Sequence, residues 1–508
     1  MPNSKLINVN ELKKLTYKLK GKKIVLCHGV FDLLHIGHIK HFEEAKKYGD
    51  VLIVSVTSDK FVNKGPNRPV FNLGLRAEAL IALECVDYVI ENRMPNPINL
   101  IKTIKPKFYA KGKDYKNIKD DITGNIKNEI KAIKSVGGKF ISTKSELESS
   151  SKIINENNLL NFSSLQNKFL KKIKKKGNKE KFVLSLNKLK KVKVLVIGET
   201  IIDKYTFCDT IGKSSKEPIL VLKQKFTKDY LGGAAAVCKQ VSEFSESVSF
   251  LTMIGQNKTY QDFIKKNLSK RVKINFVFKK NSPTIVKKRY VDESSNSKTL
   301  GVYDLDDKNL ESKNETQVLR YLIKNLNKFD LVIISDYGHG FITDKISKLI
   351  SLKSKKVVIN AQVNANNQGQ HTLEKYKKSL CVIINESEMR SELRDKDGDI
   401  KFLIKKLSKK INTSLILTTM GREGSILFDC KKEKFYHCPA FANSVVDKVG
   451  AGDAMLSSFS MINFKNEDPE LSLFLSSLVA ANTVKEFGND RVIKVKELVK
   501  ILEHIYLK

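Results

Sequence analysis

Arginine is scarce in this strongly basic chain. The sequence has 508 residues and a net charge of +37, but only ten of its 92 basic residues are arginine. Proteins that read nucleic-acid phosphates and bases favour the planar, bidentate arginine side chain. Lysine spread along the whole chain indicates a solvated surface, so nucleic acid is not expected as a partner. A functional basic surface is the alternative interpretation.

Long hydrophobic runs and paired cysteines are also missing. No run of about 18 apolar residues occurs, so no membrane span or membrane partner is expected. The first 15 residues, MPNSKLINVNELKKL, contain no apolar signal core. The seven cysteines are scattered and form no Cys-x-x-Cys pair, which excludes the patterns of a disulfide framework and a zinc ribbon. We therefore expect a reduced, cytoplasmic protein.

What the chain does contain is enough apolar sequence for more than one core. Hydrophobic residues make up 41%, and 508 residues exceed one ordinary domain. KIVLCHGVFDLLHIGH (23–38) and KVKVLVIGETIID (191–203) both suggest a buried strand, a glycine-containing turn and a helix. The fold class is therefore α/β. We predict a doubly wound, Rossmann-like domain at 1–156, a lysine-rich linker at 157–182 with a short helix near 165–173, and a second α/β domain at 183–508. In that domain, β segments at 219–226 and 284–291 could form a small lid.

The first candidate site is the segment His35-Ile36-Gly37-His38, which follows the first strand and opens a helix. Free N–H groups and the positive end of the helix dipole suit a phosphate group there. The two imidazoles can add donors, and Gly37 lets a phosphate approach the backbone. The alternative is that His35, His38 and His41 pack together or bind a metal. No carboxylate or cysteine joins them at a ligand spacing, which disfavours the metal.

Residues 20–156 resemble the nucleotidyltransferase superfamily with the HxGH signature, and most closely the cytidylyltransferase-like domain of heptose-1-phosphate adenylyltransferases. The motifs GVFDLLHIGH, KGPNRP (64–69) and KGKDY (111–115) carry this resemblance. It implies that His35 and His38 hold the nucleotide phosphates and stabilise the transition state, with Mg²⁺ bridging the phosphates. It also implies a nucleotide and phosphate site containing Gly29, Phe31, Asp32, Lys64, Arg76, Ser150 and Ser151, and an acceptor pocket flanked by Lys111 and Asp114.

The second candidate site is Gly450-Ala451-Gly452-Asp453, which precedes an apolar helical stretch. Two glycines at a helix start can form an anion-binding nest, and a carboxylate next to it can accept a proton from a hydroxyl. A plain helix start with an acidic residue in its first turn would give the same pattern. The four residues alone do not decide between these interpretations.

Residues 190–490 resemble the ribokinase/PfkB sugar kinases. The motifs GETIIDKY, LGGAAA, SDYGHG, NESE and TTMGREG carry this resemblance in chain order. It implies that Asp453 is the catalytic base and that the N–H groups around Gly450, Ala451 and Gly452 form an anion hole. It further implies sugar binding by Asp203, Gly232 and Gly233, indirect Mg²⁺ binding through Asn385 and Glu388, and a nucleotide near Thr419 and Gly421.

The sequence departs from the PfkB pattern at three places. Ala236 stands where asparagine is usual, Lys448 stands where threonine is usual, and Asn360-Ala361-Gln362 replaces the Asp-Pro-Lys of heptose kinases. The anion hole and the base are intact, but the sugar pocket is altered. Removing a hydrogen-bonding side chain from a polar pocket changes discrimination by large factors. The identity of the sugar is therefore left open.

Two motif sets in one chain imply a bifunctional enzyme. A sugar kinase would use ATP to phosphorylate an anomeric hydroxyl, and a nucleotidyltransferase would use ATP or CTP to activate the sugar 1-phosphate. This arrangement resembles the bifunctional enzymes that make ADP-heptose for lipopolysaccharide, in which the two domains have the opposite order. The alternatives are activation of another sugar or polyol phosphate, and a degenerate kinase-like domain with a binding or regulatory role. The expected partners are sugar phosphates and nucleoside triphosphates, and a homodimer through the kinase lid is left open.

Overall fold

The structure is a computed structural model that describes residues 5–8, 11–62, 69–112, 125–143, 163–176, 179–362, 372–442, 444–465 and 468–506. It divides into two compact units, Met1–Ser163 with Val499–Lys508, and Ser164–Leu498. Across the described ranges, no helix is both long and apolar enough to cross a membrane. Four predicted site residues lie outside the described residues: Lys64, Asp114, Ser150 and Ser151.

The first unit is built on a six-stranded parallel sheet with strand order β1-β4-β3-β2-β5-β6. Its strands are β1 Leu6–Ile7, β2 Ile24–Gly29, β3 Val51–Thr57, β4 Tyr88–Asn92, β5 Phe108–Lys111 and β6 Lys139–Ser142. The helices are α1 Leu12–Lys18, α2 Ile36–Lys46, α3 Leu73–Ile81, α4 Ile98–Ile104 and α5 Asn125–Ser135. Strand β3 is buried along its whole length, as expected for a sheet covered on both faces.

Two hydrophobic clusters cover the two faces of this sheet. One joins α1, α4 and α5 to the strands, and the other joins α2 and α3 to the opposite face. The prediction of a doubly wound domain is therefore confirmed. The strand order reverses at β2, because the chain moves from β2 to β3 and β4 on one side and then returns to β5 on the other. Ligands of open α/β sheets bind outside the strand ends at such a reversal.

The second unit has a mixed sheet with strand order β10-β9-β7-β13-β14-β15-β16-β17-β18. The pairs from β10 to β16 are parallel, and β17 and β18 are antiparallel. These strands are β7 Lys193–Lys213, β9 Ser247–Gly255, β10 Lys273–Lys279, β13 Leu331–Asp336, β14 Val357–Ala361, β15 Ser379–Asn385, β16 Thr413–Thr419, β17 Ser425–Asp429 and β18 Lys434–Cys438.

The helices that follow in the chain begin with α6 and α7, which precede β7. Their bounds are α6 Ser164–Lys176, α7 Lys179–Lys188, α8 Gly233–Phe244, α9 Gln261–Asn267, α10 Ser312–Asn325, α11 Asp344–Lys353, α12 Glu386–Leu393, α13 Ile400–Lys410, α14 Ala451–Lys465, α15 Pro469–Thr483 and α16 Val495–Tyr506. Helix α14 packs against α8 and α15. Asp453 in its first turn accepts a hydrogen bond from Tyr337, which directly follows the carboxyl end of the parallel strand β13. The second candidate site therefore lies at the strand ends, where α/β folds bind their ligands.

At 191–203 the predicted strand is confirmed, but the predicted turn and helix are wrong. Residues Lys193–Lys213 form one continuous strand of 21 residues, and Gly198 lies inside it. A Cβ at Gly198 would lie 1.9 Å from the carbonyl oxygen of Ser335 on the neighbouring strand β13. Gly198 thus permits a close backbone approach instead of a turn. The run of β-branched and aromatic residues beyond it continues the strand.

The outer half of β7 supports a small lid. It pairs with β8 (Leu220–Gly232) on one side and with β11 (Ile285–Asp292) on the other, and β11 pairs in turn with β12 (Lys298–Asp304). The predicted β segments at 219–226 and 284–291 both belong to this lid. Several apolar side chains of the lid are exposed, including Phe226, Leu300 and Val302.

Helix α6 falls in the segment that we interpreted as a linker. Its apolar side chains Phe169, Leu170 and Ile173 are buried. The Phe169 ring lies 6.2 Å from that of Phe441 and 5.7 Å from that of Phe474, measured between centroids, and all three belong to the second unit. The lysines of this helix lie among the positions that are not buried, which gives an amphipathic helix packed on a core. The domain boundaries given above stay predictions.

Candidate active sites

The first site begins where β2 ends at Gly29. Phe31 has a left-handed backbone (φ 48°), which is uncommon for a bulky residue and occurs mainly where structure constrains it. A Cβ at Gly29 would lie 2.8 Å from the Phe31 ring, so glycine makes room for that ring. The ring then meets His38 edge to face at a centroid distance of 5.4 Å. The turn thus presents the HxGH segment at the strand end.

His35 and His38 lie together at the start of α2. His35 caps the helix, and its Nδ1 accepts a hydrogen bond from the Gly37 N–H at 3.2 Å. A neutral His35 therefore carries its proton on Nε2, where it can donate to a ligand. The two ring centroids are 4.0 Å apart. Two imidazole donors beside a helix N-terminus can bind phosphate oxygens and stabilise charge that develops on them.

Asp32 and Arg76 are both buried in the structure. Asp32 Oδ1 accepts from the Phe71 N–H at 3.0 Å. The resemblance implied that Arg76 orients a base or a phosphate, but the guanidinium is enclosed and bound by the protein itself. It donates to the carbonyls of Phe71 (2.9 Å), Thr57 (2.8 Å) and Val30, and it pairs with Asp59 (2.6 Å). The geometry favours a residue that ties together the loops around the site.

Lys111 ends β5, beside the end of β2. Its side chain is buried, and Nζ donates to the carbonyl of His28 at 3.0 Å. Nζ also lies 3.6 Å from Glu129 Oε2, which accepts from the Tyr109 hydroxyl at 2.9 Å. The positive charge is therefore balanced inside the protein. Lys111 thus lies at the same end of the sheet as the first candidate site, but its ammonium group is bound by other groups of the protein.

The third histidine of the metal interpretation, His41, has a local structural partner. His41 Nδ1 is 2.8 Å from the Thr143 hydroxyl, so this side chain is used in packing the helix against β6. Within the part of the chain that the structure describes, no group of three or more His, Cys, Asp or Glu could hold a metal ion. His35 and His38 remain candidates for phosphate binding.

The second site is centred on Asp453 in the first turn of α14. Gly450 has φ 91°, and a Cβ there would lie 1.8 Å from Asn489 Oδ1, so this position needs glycine on both grounds. Asp453 is 8% exposed, and burial raises the pKa of its carboxyl group to about 7. A carboxylate with this pKa is suited to accept a proton at neutral pH.

A buried acid, Asp447, fixes the loop that leads to this helix. Its carboxylate accepts from the Tyr205 hydroxyl at 2.5 Å and from the N–H groups of Val449 and Gly488, both at 3.0 Å. It also pairs with Lys298 of the lid. These hydrogen bonds hold the pKa of Asp447 below its usual value in spite of burial. Asp447 is therefore a structural anchor between the loop, β7 and the lid.

The predicted sugar residues lie side by side. Asp203 on β7 forms an ion pair with Arg289 of β11. Gly232 ends β8 and caps α8, and a Cβ at this position would lie 2.2 Å from Asp203 Oδ2. Gly233 begins that helix with φ 58°. Gly232 therefore allows the Asp203 carboxylate to sit directly against the start of a helix.

Sequence reasoning missed the basic residues of this pocket. Lys287 lies opposite Asp203 in the pairing of β11 with β7. Burial lowers the pKa of Lys287, while Asp203 and Asp453 act in the opposite direction. The signal was present, because Lys287 and Arg289 alternate on one predicted strand and must share a face. The sequence analysis used that strand only as lid material.

The nucleotide-side motifs also have local structural roles. Asn385 caps α12, its Oδ1 accepts from the Glu388 N–H at 2.8 Å, and Glu388 Oε2 accepts from the Asn385 N–H at 3.0 Å. This reciprocal pair is a capping box, which the N-x-x-E spacing also predicts. Thr419 ends β16, and Gly421 follows with φ 56° and open space at the Cβ position.

The three departures from the PfkB pattern fall in different environments. Ala236 is buried in α8, and Lys448 is exposed on the loop before α14. Gln362 follows β14, and its backbone N–H donates to the carbonyl of Asp336 at 2.8 Å. A Cβ at Gly452 would lie 3.8 Å from Gln362 Nε2, so this side chain borders the predicted anion hole. Gln362 is thus a departure beside the reacting groups.

Comparison with known proteins identifies both regions. The model described as cytidylyltransferase-like matches residues 26–157, and the model described as pfkB family carbohydrate kinase matches residues 191–494. The chain is 46% identical to the bifunctional protein HldE of Aliarcobacter butzleri over 141 residues, which are 27% of this chain and 29% of that protein. It is 28% identical to the bifunctional protein HldE of Haemophilus influenzae (strain PittEE) over 309 residues, 60% of this chain and 63% of that protein.

These matches span less than two thirds of the relatives' own length. Two solved structures support the fold of the second unit at a TM-score of 0.50 each. A putative ribokinase from Agrobacterium tumefaciens is 15% identical, with 62% of this chain and 98% of that chain covered. Phosphofructokinase-2 from Escherichia coli is 14% identical, with 62% and 99% covered. The predicted ribokinase-like fold and the order of the two regions are confirmed, and the chain belongs to the pfkB family of carbohydrate kinases, with a cytidylyltransferase-like region before the kinase region.

Proposed function

We propose that the second unit transfers the γ-phosphoryl group of ATP to the anomeric hydroxyl of a sugar phosphate. The observation that carries this proposal is Asp453, a buried carboxylate in the first turn of α14 with a pKa near 7. Asp453 accepts the hydroxyl proton as the sugar oxygen attacks the γ-phosphorus, and ADP leaves. The N–H groups at Ala451 and Gly452 stabilise the charge on the transferred phosphoryl group.

The sugar is proposed to be heptose 7-phosphate. Asp203 and Gly232 would bind its hydroxyl groups, and Lys287 and Arg289 give the same pocket two cations suited to an anionic sugar. The similarity to the two HldE proteins supports heptose. Ala236 and Gln362 favour a second candidate, a different sugar or polyol phosphate, because both alter the pocket that the family uses.

The first unit is proposed to transfer a nucleotidyl group to a sugar 1-phosphate, which forms from the kinase product only after a separate phosphatase hydrolyses the other phosphate group. An oxygen of the 1-phosphate attacks the α-phosphorus of the nucleotide, and pyrophosphate leaves. His35 and His38 would hold the phosphates and stabilise the developing charge, so catalysis consists of positioning and electrostatics. Arg76 is assigned a positioning role, because its guanidinium binds the loops that carry Phe31 and Asp59. ATP is the proposed nucleotide and CTP the alternative, with Gly29 and Asp32 beside the phosphates.

Mg²⁺ fits the nucleotide side of the second unit as an ion bound mainly by phosphates. Asn385 and Glu388 offer an amide and a carboxylate oxygen, both used in the capping box, which suits an indirect contact through water. When bound, the ion would neutralise phosphate charge. Thr419 and Gly421 would border the nucleotide. A cytoplasmic location suits an enzyme that consumes ATP, and the exposed apolar side chains of the lid are compatible with a homodimer through the lid.

The test is a substrate panel. The purified chain is incubated with ATP, Mg²⁺ and heptose 7-phosphate, and the sugar bisphosphate is measured. A parallel reaction with ATP, Mg²⁺ and supplied heptose 1-phosphate is measured for the ADP-sugar and pyrophosphate. Formation of all three products supports the proposal. Matched reactions contain other sugar or polyol phosphates in place of the heptose phosphate, or CTP in place of ATP. Turnover of another sugar with none of heptose would favour the second candidate. Binding without turnover in any arm would favour a degenerate kinase-like unit.

Substitution of Gly232 tests the sugar site. In Gly232→Ala the new methyl group would overlap Asp203 Oδ2, which lies 2.2 Å from the Cβ position. Displacing that carboxylate removes a hydrogen bond to the sugar, so we expect kcat/KM for phosphorylation to fall by about 10- to 100-fold. Pyrophosphate release from supplied sugar 1-phosphate serves as the internal control, because that reaction uses the other unit. Unchanged phosphorylation kinetics would contradict the assignment of Gly232 and Asp203 to the sugar site.

A further inference from the structure

A buried tyrosine contacts the proposed base. The hydroxyl group of Tyr337 donates to Asp453 Oδ1 at 2.6 Å. Tyr337 is 5% exposed and follows the end of strand β13. Neither the sequence motifs nor the proposed reaction assigned this side chain a role. A hydrogen bond from a fixed donor to a buried carboxylate both orients the carboxylate and stabilises its charged form.

The backbone around Tyr337 is held by a second buried acid, Glu199 of β7. Its carboxylate accepts from the N–H groups of Tyr337 at 3.0 Å, His339 at 3.2 Å and Phe341 at 3.3 Å. Glu199 is fully buried, and burial followed by the neighbouring Asp336 raises its pKa to about 7. Three hydrogen bonds to one carboxylate fix the loop that carries Tyr337. The tyrosine hydroxyl is therefore a rigid donor.

We propose that Tyr337 is a positioning residue that holds Asp453 Oδ1, so that Oδ2 faces the acceptor hydroxyl and takes its proton. The inference rests on the kinase function proposed above. In the reaction, the O–H bond of the sugar breaks, the proton moves to Asp453 Oδ2, the sugar oxygen bonds to the γ-phosphorus, and ADP leaves. Tyr337 keeps its proton throughout, because it acts only as a hydrogen-bond donor to the base.

The groups around Asp453 determine in which direction its pKa shifts when the Tyr337 hydroxyl is removed. Burial and Asp203 raise the pKa of Asp453, whereas the Tyr337 hydrogen bond and Lys287 lower it. Loss of the tyrosine hydroxyl removes one of the two lowering contributions, so the pKa of Asp453 rises further. A protonated carboxyl group cannot act as a base. The acid limb of the kinase pH profile should therefore move to higher pH in Tyr337→Phe.

The experiment measures kcat for sugar phosphorylation between pH 5.5 and 9.5. For Tyr337→Phe we expect the acid limb to move up by about one to two pH units, as the loss of a hydrogen bond to a charged group requires. Most of the activity should return near pH 9. Tyr376→Phe is the matched control, because this buried tyrosine donates to Asp336 Oδ2 at 2.5 Å instead of to Asp453. Its acid limb should stay in place.

One further variant keeps the test decisive. Replacement of Tyr337 by 3-fluorotyrosine preserves the shape of the ring and makes the hydroxyl a stronger donor, so the limb should move to lower pH. A uniform loss of kcat at every pH in Tyr337→Phe, with the limb unmoved, would overturn the inference. A wild-type protein that phosphorylates no sugar would instead overturn the proposed function.

Discussion

Asp453→Asn should abolish sugar phosphorylation and leave nucleotidyl transfer intact. The asparagine keeps the shape of the side chain and can still accept the hydrogen bond from Tyr337 at Oδ1, but it cannot take a proton. General bases contribute about 10²- to 10⁴-fold to rates, and kcat of the kinase reaction should fall by that factor. The measurement is sugar bisphosphate formation, followed in the same sample by pyrophosphate release from supplied sugar 1-phosphate.

The stability of this variant provides an independent check. Folding raises the pKa of Asp453 from 3.8 to about 7, so ionisation of the carboxyl group opposes folding and the folded protein loses stability as pH rises through this range. Asparagine does not ionise. Asp453→Asn should therefore melt at the same temperature as the wild type or higher at pH 8. Loss of both activities in a folded variant would contradict the assignment of two separate sites.

Most of the parallel strands of both units could be predicted from short apolar runs bounded by turns. The runs at 108–111 and 139–142 coincide with β5 and β6. Strand β12 escaped prediction, because all of its residues are exposed and its sequence alternates little. Strand β1, with two residues, is too short to leave a pattern. Periodicity reports burial, which explains why β12 leaves no pattern. Strands β10 and β18 also escaped prediction, although each contains buried residues.

A glycine after a β-branched run predicts the end of the strand correctly at Gly29 but wrongly at Gly198. In the sequence, a glycine after a β-branched run indicates a turn, and at Gly29 the strand indeed ends. At Gly198 the same pattern reflects the approach of the Ser335 backbone from the next strand. That neighbour is 137 residues away in sequence. A local pattern cannot distinguish a turn from a close approach, because the second depends on the tertiary fold.

The residues of the candidate sites also divide into those that the sequence predicts and those that it does not. Motifs identify the residues at helix starts, including His35 and Asp453, because glycine and polar residues there have local structural causes. The groups that tune these residues come from distant segments. Tyr337 reaches Asp453 across 116 residues, and Arg289 reaches Asp203 across 86. Their roles depend on strand order and register, which the spacing of residues in the sequence does not encode.

The second large effect is expected for His38→Ala, which should abolish nucleotidyl transfer and spare sugar phosphorylation. His38 lies in the first turn of α2, with its ring 4.0 Å from that of His35, where both can stabilise charge on the phosphates. Removing one preorganised donor of this kind lowers kcat by about 10²- to 10³-fold. The measurement is pyrophosphate release with saturating ATP and sugar 1-phosphate.

His41→Gln is the control for this variant, because His41 lies one turn further along the same helix and binds the Thr143 hydroxyl. A glutamine can keep a hydrogen bond to that hydroxyl, so the variant should retain nucleotidyl transfer even if its melting temperature falls. The two histidines then separate packing from chemistry on one helix. Equal losses of activity in His38→Ala and His41→Gln would show that the helix as a whole is required, and would contradict a specific role for His38 at the phosphates.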